Sequence, residues 1–170
     1  MPQLTDPNFV KTVVLLCEHG PEGALGLVVN RPADVPAAEA VEFDPPIATP
    51  NDVPLHLGGP VEPQRGWILT AEEPVVEHKS LGSGLFLAAS PDLLRQTLEA
   101  RPHPKRTLVL AGYAGWSAGQ LDAELAESAW LIAPLDLDLI FELPSAVTWE
   151  MAIRRMGADP AQLQMGHGVH

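Results

Sequence analysis

The order of strand-like and helix-like segments limits the fold of this chain more than any other sequence feature. Apolar, β-branched runs typical of short buried strands recur along the chain, at 9–17, 24–30, 55–57, 67–69, 85–89 and 106–111. A parallel α/β sheet needs a crossover of a dozen or more residues between successive strands, and this regular alternation is missing. The pattern predicts an α+β fold with a largely antiparallel or mixed sheet, in one domain spanning 1–170.

The first two runs predict a β-hairpin. Its strands are 9–17 and 24–30, and the glycines and proline of the segment 18–23 are typical of the connecting loop. Glu18 and His19 then flank the loop, while Asn30 and Arg31 lie at the opposite end of the hairpin. Polar residues at strand ends can line a site, or they can be ordinary surface residues.

Proline marks the next part of the chain as irregular. Many of the 18 prolines lie between Pro32 and Pro63, which is acidic as well as proline-rich. We expect at most a short helix at 37–43, following a possible cap at Asp34. Further on, Ser90 and Pro91 predict the start of a helix that continues to about residue 100.

The C-terminal third adds one more predicted helix and two predicted strand segments. The apolar stretch 130–133 indicates a strand, and alternation places Asp136 and Asp138 on the solvent side of another. A final helix over 145–156 should end at Gly157, because glycine readily adopts the left-handed conformation beyond a helix.

Charge and composition disfavour several classes of function. The chain has 10 Lys and Arg against 22 Asp and Glu, a formal net charge of −12, so direct nucleic-acid binding and attraction to an anionic membrane are not expected. The N-terminal residues lack a secretory pattern, and the run 13–17 is far too short to span a membrane. A single cysteine, Cys17, fits a reducing compartment, which we expect to be the cytoplasm.

No metal or cofactor is predicted. The six histidines never occur as H-x-x-x-H, the spacing that places two ligands on one helix face. Gly112, Gly115 and Gly119 do not form a phosphate-binding motif, and no Lys or Arg lies between Arg106 and Arg154. Cys17, within an apolar run, is expected to be a buried thiol without reactivity.

The stretch Gly115-Trp116-Ser117-Ala118-Gly119 has two interpretations. It matches G-x-S-x-G, the nucleophile elbow of serine hydrolases, and it lies between a strand-like and a helix-like run. A hydrolase would use Ser117 as nucleophile with Asp138 and His167, and His56-Leu57-Gly58-Gly59 would supply the oxyanion loop. Alternatively, S-x-x-Q at 117–120 is a capping box, in which the Ser117 hydroxyl accepts from the Gln120 amide and the Gln120 side chain reaches back.

Four ordered blocks resemble the AlgH/YqgE family of small bacterial proteins. They are DPNF at 6–9, EHGPEGALGLVVNRP at 18–32, LGGPVEPQRGWIL at 57–69 and GYAGWSAGQLDAELAESAWL at 112–131. The resemblance extends to Trp149 and Gly166-His167. It implies an α+β fold with a closed or flattened β-barrel-like sheet decorated by helices. It also implies that the position of Ser117 is not reserved for serine, since glycine or alanine fits there.

The resemblance implies less about function. Members are commonly labelled transcriptional regulators, and no catalytic set or cofactor comes with the family. Its polar signature, together with Trp116, gives the candidate binding surface: His19, Asn30, Arg31, Gly58, Gly59, Trp116, Gln120 and Glu124. Two departures from the family pattern are Asp122, where glutamate is more common, and the segment 33–54, which is proline-rich where a longer helix is typical.

The leading hypothesis is therefore a cytoplasmic binding or regulatory module without catalytic activity. It would act through a protein partner or a small ligand, for which a pocket could gather His19, Arg31, Trp116 and Gln120. Any effect on transcription would be indirect. The alternative is a serine hydrolase that uses Ser117.

Overall fold

A computed structural model describes residues 11–161 of the chain. The strands are β1 (Val14–Gly20), β2 (Gly23–Val28), β3 (Pro32–Pro36), β4 (Pro54–Leu57), β5 (Val61–Thr70), β6 (Lys79–Gly82), β7 (Leu85–Ala88) and β8 (Thr107–Ser117). The helices are α1 (Ala37–Ala40), α2 (Pro91–Glu99), α3 (Gln120–Ala126), α4 (Leu137–Phe141) and α5 (Ser145–Arg155). None of the helices in this range is long and apolar enough to cross a membrane.

All eight strands belong to one mixed sheet with β8 at its centre. The main path runs β1-β2-β8-β5-β7-β6, and its neighbours are antiparallel. Strand β4 is parallel to the first half of β8, and β3 pairs with β4. The sheet curls into a nearly closed barrel, which confirms the α+β class and the barrel-like fold that the family resemblance implied.

The barrel interior is the main hydrophobic core. Its buried members come from β2 and the residue after it, and from β5, β7, β8 and α4: Leu27, Val29, Trp67, Leu69, Leu85, Leu87, Leu110 and Ile140. Helix α4 packs against this core near the start of β8, where Arg106 donates to Asp138 and Glu142 at 2.8 Å each. The barrel therefore has one end occupied by α4, and its other end lies where β8 finishes.

Two further apolar layers cover the outside of the sheet. Helix α3 packs Leu121 against Trp116 and Ala114 of β8. Helix α2 packs Leu98 against Val109 of β8 and Leu55 of β4, together with side chains from the proline-rich segment. Burial on both faces explains why β8 reads as an almost unbroken apolar run.

The proline-rich segment is irregular, as expected, but it is held firmly on α2. The Asn51 side-chain amide donates to the carbonyls of Thr97 at 2.7 Å and Ala100 at 3.0 Å. Arg95 and Arg101 donate to carbonyls within 45–50. Side-chain hydrogen bonds between this segment and residues 95–101 thus replace the regular backbone pairing that prolines prevent.

The two end strands of the sheet path meet through side chains. Glu18 of β1 accepts from Lys79 of β6 at 2.8 Å, although β1 and β6 stand at opposite ends of the order of paired strands. Leu81 of β6 and Leu15 of β1 pack against the same core. An ion pair and apolar contacts therefore close the seam of the barrel.

The predicted hairpin is confirmed, with a shorter turn than expected. Strands β1 and β2 pair from Val14↔Val28 to Gly20↔Gly23, and register shifts between Leu16 and Glu18. Glu18 and His19 consequently lie in β1 and not in a loop. Phe9, where the first strand was predicted to begin, lies outside the described residues.

The helix ends were predicted well where a side chain or a glycine sets them. Ser90 caps α2, its hydroxyl accepting from the Leu93 amide at 3.2 Å. Helix α5 ends just before Gly157, whose φ of 84° is the expected left-handed conformation. Helix α1 spans only four residues, and its N-cap residue is Pro36, so the expected cap at Asp34 is wrong.

Two strand predictions in the C-terminal third are wrong. Residues 130–133 form no strand, because Trp130 packs as a single side chain against Trp116. The alternating segment at 136–139 begins helix α4 instead. Asp136 is the N-cap residue and accepts from the Asp138 amide at 3.0 Å, so a local cap overrides the period-two pattern.

Candidate functional site

The glycine-rich end of β8 is a strand and not a nucleophile elbow. The strand was predicted to end at Ala111, but it continues to Ser117, because β2 pairs along it from Gly26↔Ala114 to Gly23↔Ser117. Gly119 then turns the chain with a φ of 76°, and α3 begins at Gln120. The helix-like run that follows the motif is therefore confirmed, and its start lies two residues later than the cap hypothesis required.

Ser117 makes half of the predicted capping box. The Gln120 side chain reaches back as expected, since its Oε1 accepts from the Ser117 amide at 3.0 Å. The Ser117 hydroxyl also donates to this oxygen, at 3.2 Å, and does not cap the helix. Gly119 occupies the N-cap position instead, without a side-chain cap. The prediction that the hydroxyl caps α3 is wrong.

The structure gives no support to a hydrolase built on Ser117. Asp138 lies on α4, paired with Arg106 at 2.8 Å, close to the opposite end of β8. His167 lies outside the described residues. In the supposed oxyanion loop, the Gly58 amide already donates to the Ala111 carbonyl at 2.7 Å. Every hydrogen bond of the Ser117 side chain seen within 11–161 goes to Gln120.

Three candidate residues converge on one carboxylate. Glu124 Oε1 accepts from the indole N–H groups of Trp130 at 2.8 Å and Trp116 at 3.3 Å, and Oε2 accepts from the Gln120 amide at 2.9 Å. The two indoles meet edge to face, with centroids 5.6 Å apart. We call Trp116, Gln120, Glu124 and Trp130 the indole clasp. It locks α3 onto the end of β8.

His19 joins the same region through α3. Its Nε2 lies 2.9 Å from Oδ1 of Asp122, which stands on α3 between the clasp residues Gln120 and Glu124. The imidazole and the carboxylate are both partly exposed, at 37% and 63% of their side-chain surface. A partly exposed ion pair contributes little stability by itself. It does attach the end of β1 to α3 through Asp122.

Gly58 and Gly59 serve a chain crossing. After β4 the chain passes over β8 to reach β5, which pairs with the other edge of β8. A Cβ on Gly59 would overlap the Tyr113 carbonyl, and a Cβ on Gly112 would overlap the Gly59 carbonyl oxygen. We call this contact the glycine crossing. It brings the Leu57-Gly58-Gly59 block beside the end of β8 by backbone contact alone.

Asn30 and Arg31 lie at the far end of β2. The Asn30 side chain accepts from the Val13 amide at 2.9 Å and donates to the Lys11 carbonyl at 3.0 Å. The Arg31 carbonyl accepts from the Leu57 amide at 2.8 Å. Ala24, near the other end of β2, is the strand partner of His19. At about 3.3 Å per strand residue, Asn30 lies roughly 20 Å from Ala24 along the chain. The eight candidates therefore occupy three places, of which the indole clasp with His19 is the largest.

A cleft of 480 Å³ opens at the end of the barrel opposite α4. We call it the mouth cleft. It is lined by the β1–β2 turn, the start of β5 and the end of β8, through Glu18, Glu22, Gly23, Ala24, Leu25, Val61, Tyr113, Gly115 and Trp116. It is a shallow depression that is wide open to solvent, not an enclosed cavity. Trp116 links this cleft to the indole clasp.

Tyr113, which lines the mouth cleft, belongs to an aromatic and charged cluster. The Tyr113 hydroxyl donates to Glu62 at 2.7 Å, which holds the pKa of Tyr113 above its ordinary value. The Arg65 guanidinium lies 4.3 Å from the centroid of the Trp67 ring, and Trp67 meets Tyr113 edge to face. These contacts fix Tyr113 in one orientation at the edge of the cleft.

Neither a metal centre nor an activated thiol appears among residues 11–161. No group of three or more His, Cys, Asp or Glu side chains there could hold a metal ion. Burial raises the pKa of the Cys17 thiol to about 12, so the thiolate that reacts with electrophiles is scarce at neutral pH. Cys17 packs against the barrel core, in agreement with the expectation of an unreactive side chain.

Sequence reasoning missed several cleft residues, because pairing between strands distant in sequence brings them together. Glu18, Leu25 and Gly115 lie in register across β1, β2 and β8. Val61 and Tyr113 pair across β5 and β8. The segment GYAGWS at 112–117 would have indicated two of them if it had been read as a strand, because a strand places Tyr113 and Gly115 on one face.

The chain matches a known protein family and individual members of it. A family model described as AlgH-like matches residues 1–161. A UPF0301 protein of Anaeromyxobacter dehalogenans is 42% identical, over 98% of this chain and 89% of the relative. Another of Methylococcus capsulatus is 41% identical, over 99% of this chain and 92% of the relative.

Two solved structures share the fold. The solution structure of the AlgH protein from Pseudomonas aeruginosa superposes with a TM-score of 0.78 at 38% identity, covering 100% of this chain and 91% of that one. The crystal structure of protein DIP2367 from Corynebacterium diphtheriae has a TM-score of 0.66 at 21% identity, covering 96% and 85%. The second likeness concerns the fold alone.

Proposed function

This chain belongs to the AlgH-like family, a family of uncharacterised function, and we propose that it is a binding module without catalytic activity. Its binding site is the mouth cleft, and it acts by holding a partner or ligand there. A binding role asks only for a shaped surface with defined polar and aromatic groups, whereas catalysis asks for an activated group within reach of a substrate.

The observation that carries the proposal is the construction of the cleft. Its 480 Å³ opening combines an aromatic wall, Tyr113 and Trp116, with the carboxylates of Glu18 and Glu22. Tyr113 and Trp116 are each fixed by a hydrogen bond to a carboxylate, Glu62 and Glu124 respectively. Rigid aromatic groups at an accessible opening suit recognition, because little conformational freedom is lost on binding.

Any influence on transcription is proposed to be indirect. The formal net charge of −12 opposes contact with a phosphate backbone, and a regulatory effect would pass through the bound partner. The single cysteine with its buried thiol is compatible with a reducing cytoplasm, where we propose the module works.

Site-specific photo-crosslinking in the source cell tests the site. A benzophenone amino acid at Val61, which is 37% exposed on the rim of the cleft, should give a discrete covalent adduct. The matched control is Val75, which is 97% exposed and follows β5, whose last residue Thr70 pairs with Thr107 at the opposite end of the barrel.

Adducts at Val61 and none at Val75 would support the mouth cleft. Equal labelling at both positions would indicate unspecific collision. Absence of labelling at Val61, in a variant whose melting temperature matches the wild type, would overturn the proposal.

A further inference from the structure

The residues that line the mouth cleft include no Lys, Arg or His. Strands β2 and β8 and helix α3 contain neither Lys nor Arg, and β1 contains none either. The same elements supply Glu18, Asp122 and Glu124, and the β1–β2 turn adds Glu22. Negatively charged side chains therefore outnumber positively charged ones around this end of the barrel.

The two cations nearest the cleft are already engaged. Lys79 donates to Glu18 at 2.8 Å across the barrel seam. Arg65 lies over the Trp67 ring and within 3.7 Å of Glu62. These contacts leave the negative potential of the opening only partly compensated, because Glu22 adds a further carboxylate to the lining.

The aromatic groups of the cleft favour the same class of ligand. Tyr113, which is half-buried, offers ring surface at the opening, while Trp116 lines it with the 8% of its surface that stays exposed. Aromatic faces attract cations, guanidinium groups above all. Carboxylates and ring faces together complement arginine and lysine side chains.

We propose that the mouth cleft docks an arginine- or lysine-bearing segment of a protein partner. This inference rests on the proposed function and adds the chemistry of the occupant. The segment's cationic side chain lies between Glu22 and the rings of Tyr113 and Trp116, while its backbone follows the open end of the barrel.

A peptide titration tests the charge requirement. The probe is acetyl-Arg-Gly-Arg-Gly-Arg-amide, and its counterpart carries citrulline, which is neutral and nearly isosteric, in place of each arginine. Indole and tyrosine ring signals in NMR spectra report the site and give the affinity. We expect the arginine peptide to shift Trp116 and Tyr113 and to bind about tenfold more tightly than the citrulline peptide, and its affinity should fall as salt is added.

Two variants with the same change of net charge separate local docking from general attraction. Glu22→Lys places a repelling charge in the cleft and should weaken the arginine peptide about fivefold or more. Glu150→Lys changes an exposed residue on α5, outside the cleft lining, and should leave the affinity within about twofold of wild type. Melting temperatures show that both variants remain folded.

A third variant tests whether binding needs the open volume of the cleft. A Cβ on Gly115 would meet Tyr113 Cε2 at 3.6 Å, an ordinary contact, so that Gly115→Leu projects its larger side chain into the opening. It should reduce binding about tenfold, whereas Gly66→Leu, at an exposed strand position with open space, should not.

The outcomes distinguish this inference from the proposed function. Equal affinities for the arginine and citrulline peptides, or equal losses for Glu22→Lys and Glu150→Lys, would overturn the inference. A photo-crosslink from Val61 to a partner segment without Arg or Lys would also overturn it, while the proposed function would stand. Failure of any cleft crosslink would remove the proposed function itself.

Discussion

Gly59 and Gly112 cross with their backbones in direct contact, and neither position can hold a side chain. Gly112 adopts a φ of 77°, and a Cβ there would overlap the Gly59 carbonyl oxygen. The glycine crossing is the only route by which the chain passes from β4, on one side of β8, to β5 on the other.

Alanine at the glycine crossing should strongly destabilise the fold. We expect Gly59→Ala and Gly112→Ala each to reduce the free energy of unfolding by about 3 kcal/mol or more, because the overlapping atoms belong to backbone that cannot move aside. Chemical denaturation measures the change. Gly66→Ala is the control, since nothing lies within 4 Å of its Cβ, and it should cost less than about 1 kcal/mol.

Replacing Ser117 should matter less than replacing Gln120. Ser117→Ala removes one exposed hydrogen bond to Gln120, and we expect a loss of about 0.5 kcal/mol or less. Gln120→Ala removes the acceptor of the Ser117 amide and a donor to Glu124, so that about 1–2 kcal/mol should be lost. A fluorophosphonate probe should label neither wild type nor Ser117→Ala, and specific labelling of Ser117 would revive the hydrolase alternative.

The indole clasp should depend on an acceptor at position 124 more than on its charge. Glu124→Leu leaves the Trp116 and Trp130 N–H groups without their acceptor, and we expect a loss of about 2–3 kcal/mol. Glu124→Gln keeps a carbonyl oxygen for the indoles and should cost about 1 kcal/mol. Denaturation gives the stabilities, and the indole N–H chemical shifts show whether the clasp persists. Equal losses for both variants would contradict this account.

Acid should destabilise the fold through His56. This side chain is 6% exposed on β4, its Nδ1 lacks a hydrogen-bond partner, and burial lowers its pKa from 6.5. Above pH 6.5 the imidazole is neutral in both states and contributes no pH dependence. As the pH falls below 6.5 the unfolded chain takes up the proton first, so stability is lost until the pH passes the lowered pKa of the folded state.

The contribution of His56 is isolated by comparison with His56→Gln. The difference in unfolding free energy between wild type and variant should change with a slope of at most about 1.4 kcal/mol per pH unit below pH 6.5. A pH-independent difference would show that another group is responsible for the acid sensitivity.

Cys17 should be protected in the native protein. Because burial raises its pKa to about 12, a thiol reagent at neutral pH should modify it far more slowly in the folded chain than in denaturant. The rate of reaction with Ellman's reagent, with and without guanidinium, measures the protection. Similar rates in both conditions would contradict the buried assignment.

Local sequence rules predicted the parts of the fold that local interactions decide. The β1–β2 hairpin, the Ser90 cap of α2 and the end of α5 before Gly157 each follow from residues near them in sequence. The barrel-like sheet was implied by the family resemblance. Local rules failed at the segment 136–139, where the Asp136 cap and packing against the barrel core produce a helix from an alternating pattern.

The candidate site depends on pairing between distant strands, and local sequence patterns do not indicate which strands pair. The three glycines in and beside β8, Gly112, Gly115 and Gly119, suggested turns, yet β2 pairs with residues 114–117 and continues the strand to Ser117. The candidate residues Trp116, Gln120 and Glu124 do lie together, because i to i+4 spacing on α3 and the end of β8 unite them. Asn30 and Arg31 lie elsewhere, since β2 separates its two ends.

The central position of β8 affects the order in which the protein can be completed during synthesis. Seven strands leave the ribosome before this one, yet β2, β4 and β5 all take their hydrogen-bond partners from it. Until residues 107–117 emerge, those earlier strands expose unpaired edges that invite aggregation. The units β1–β2, β3–β4 and β5–β7–β6 can therefore join into one barrel only after residues 107–117 have emerged, and a ribosome that stalls just before Thr107 would leave them as separate pieces of sheet.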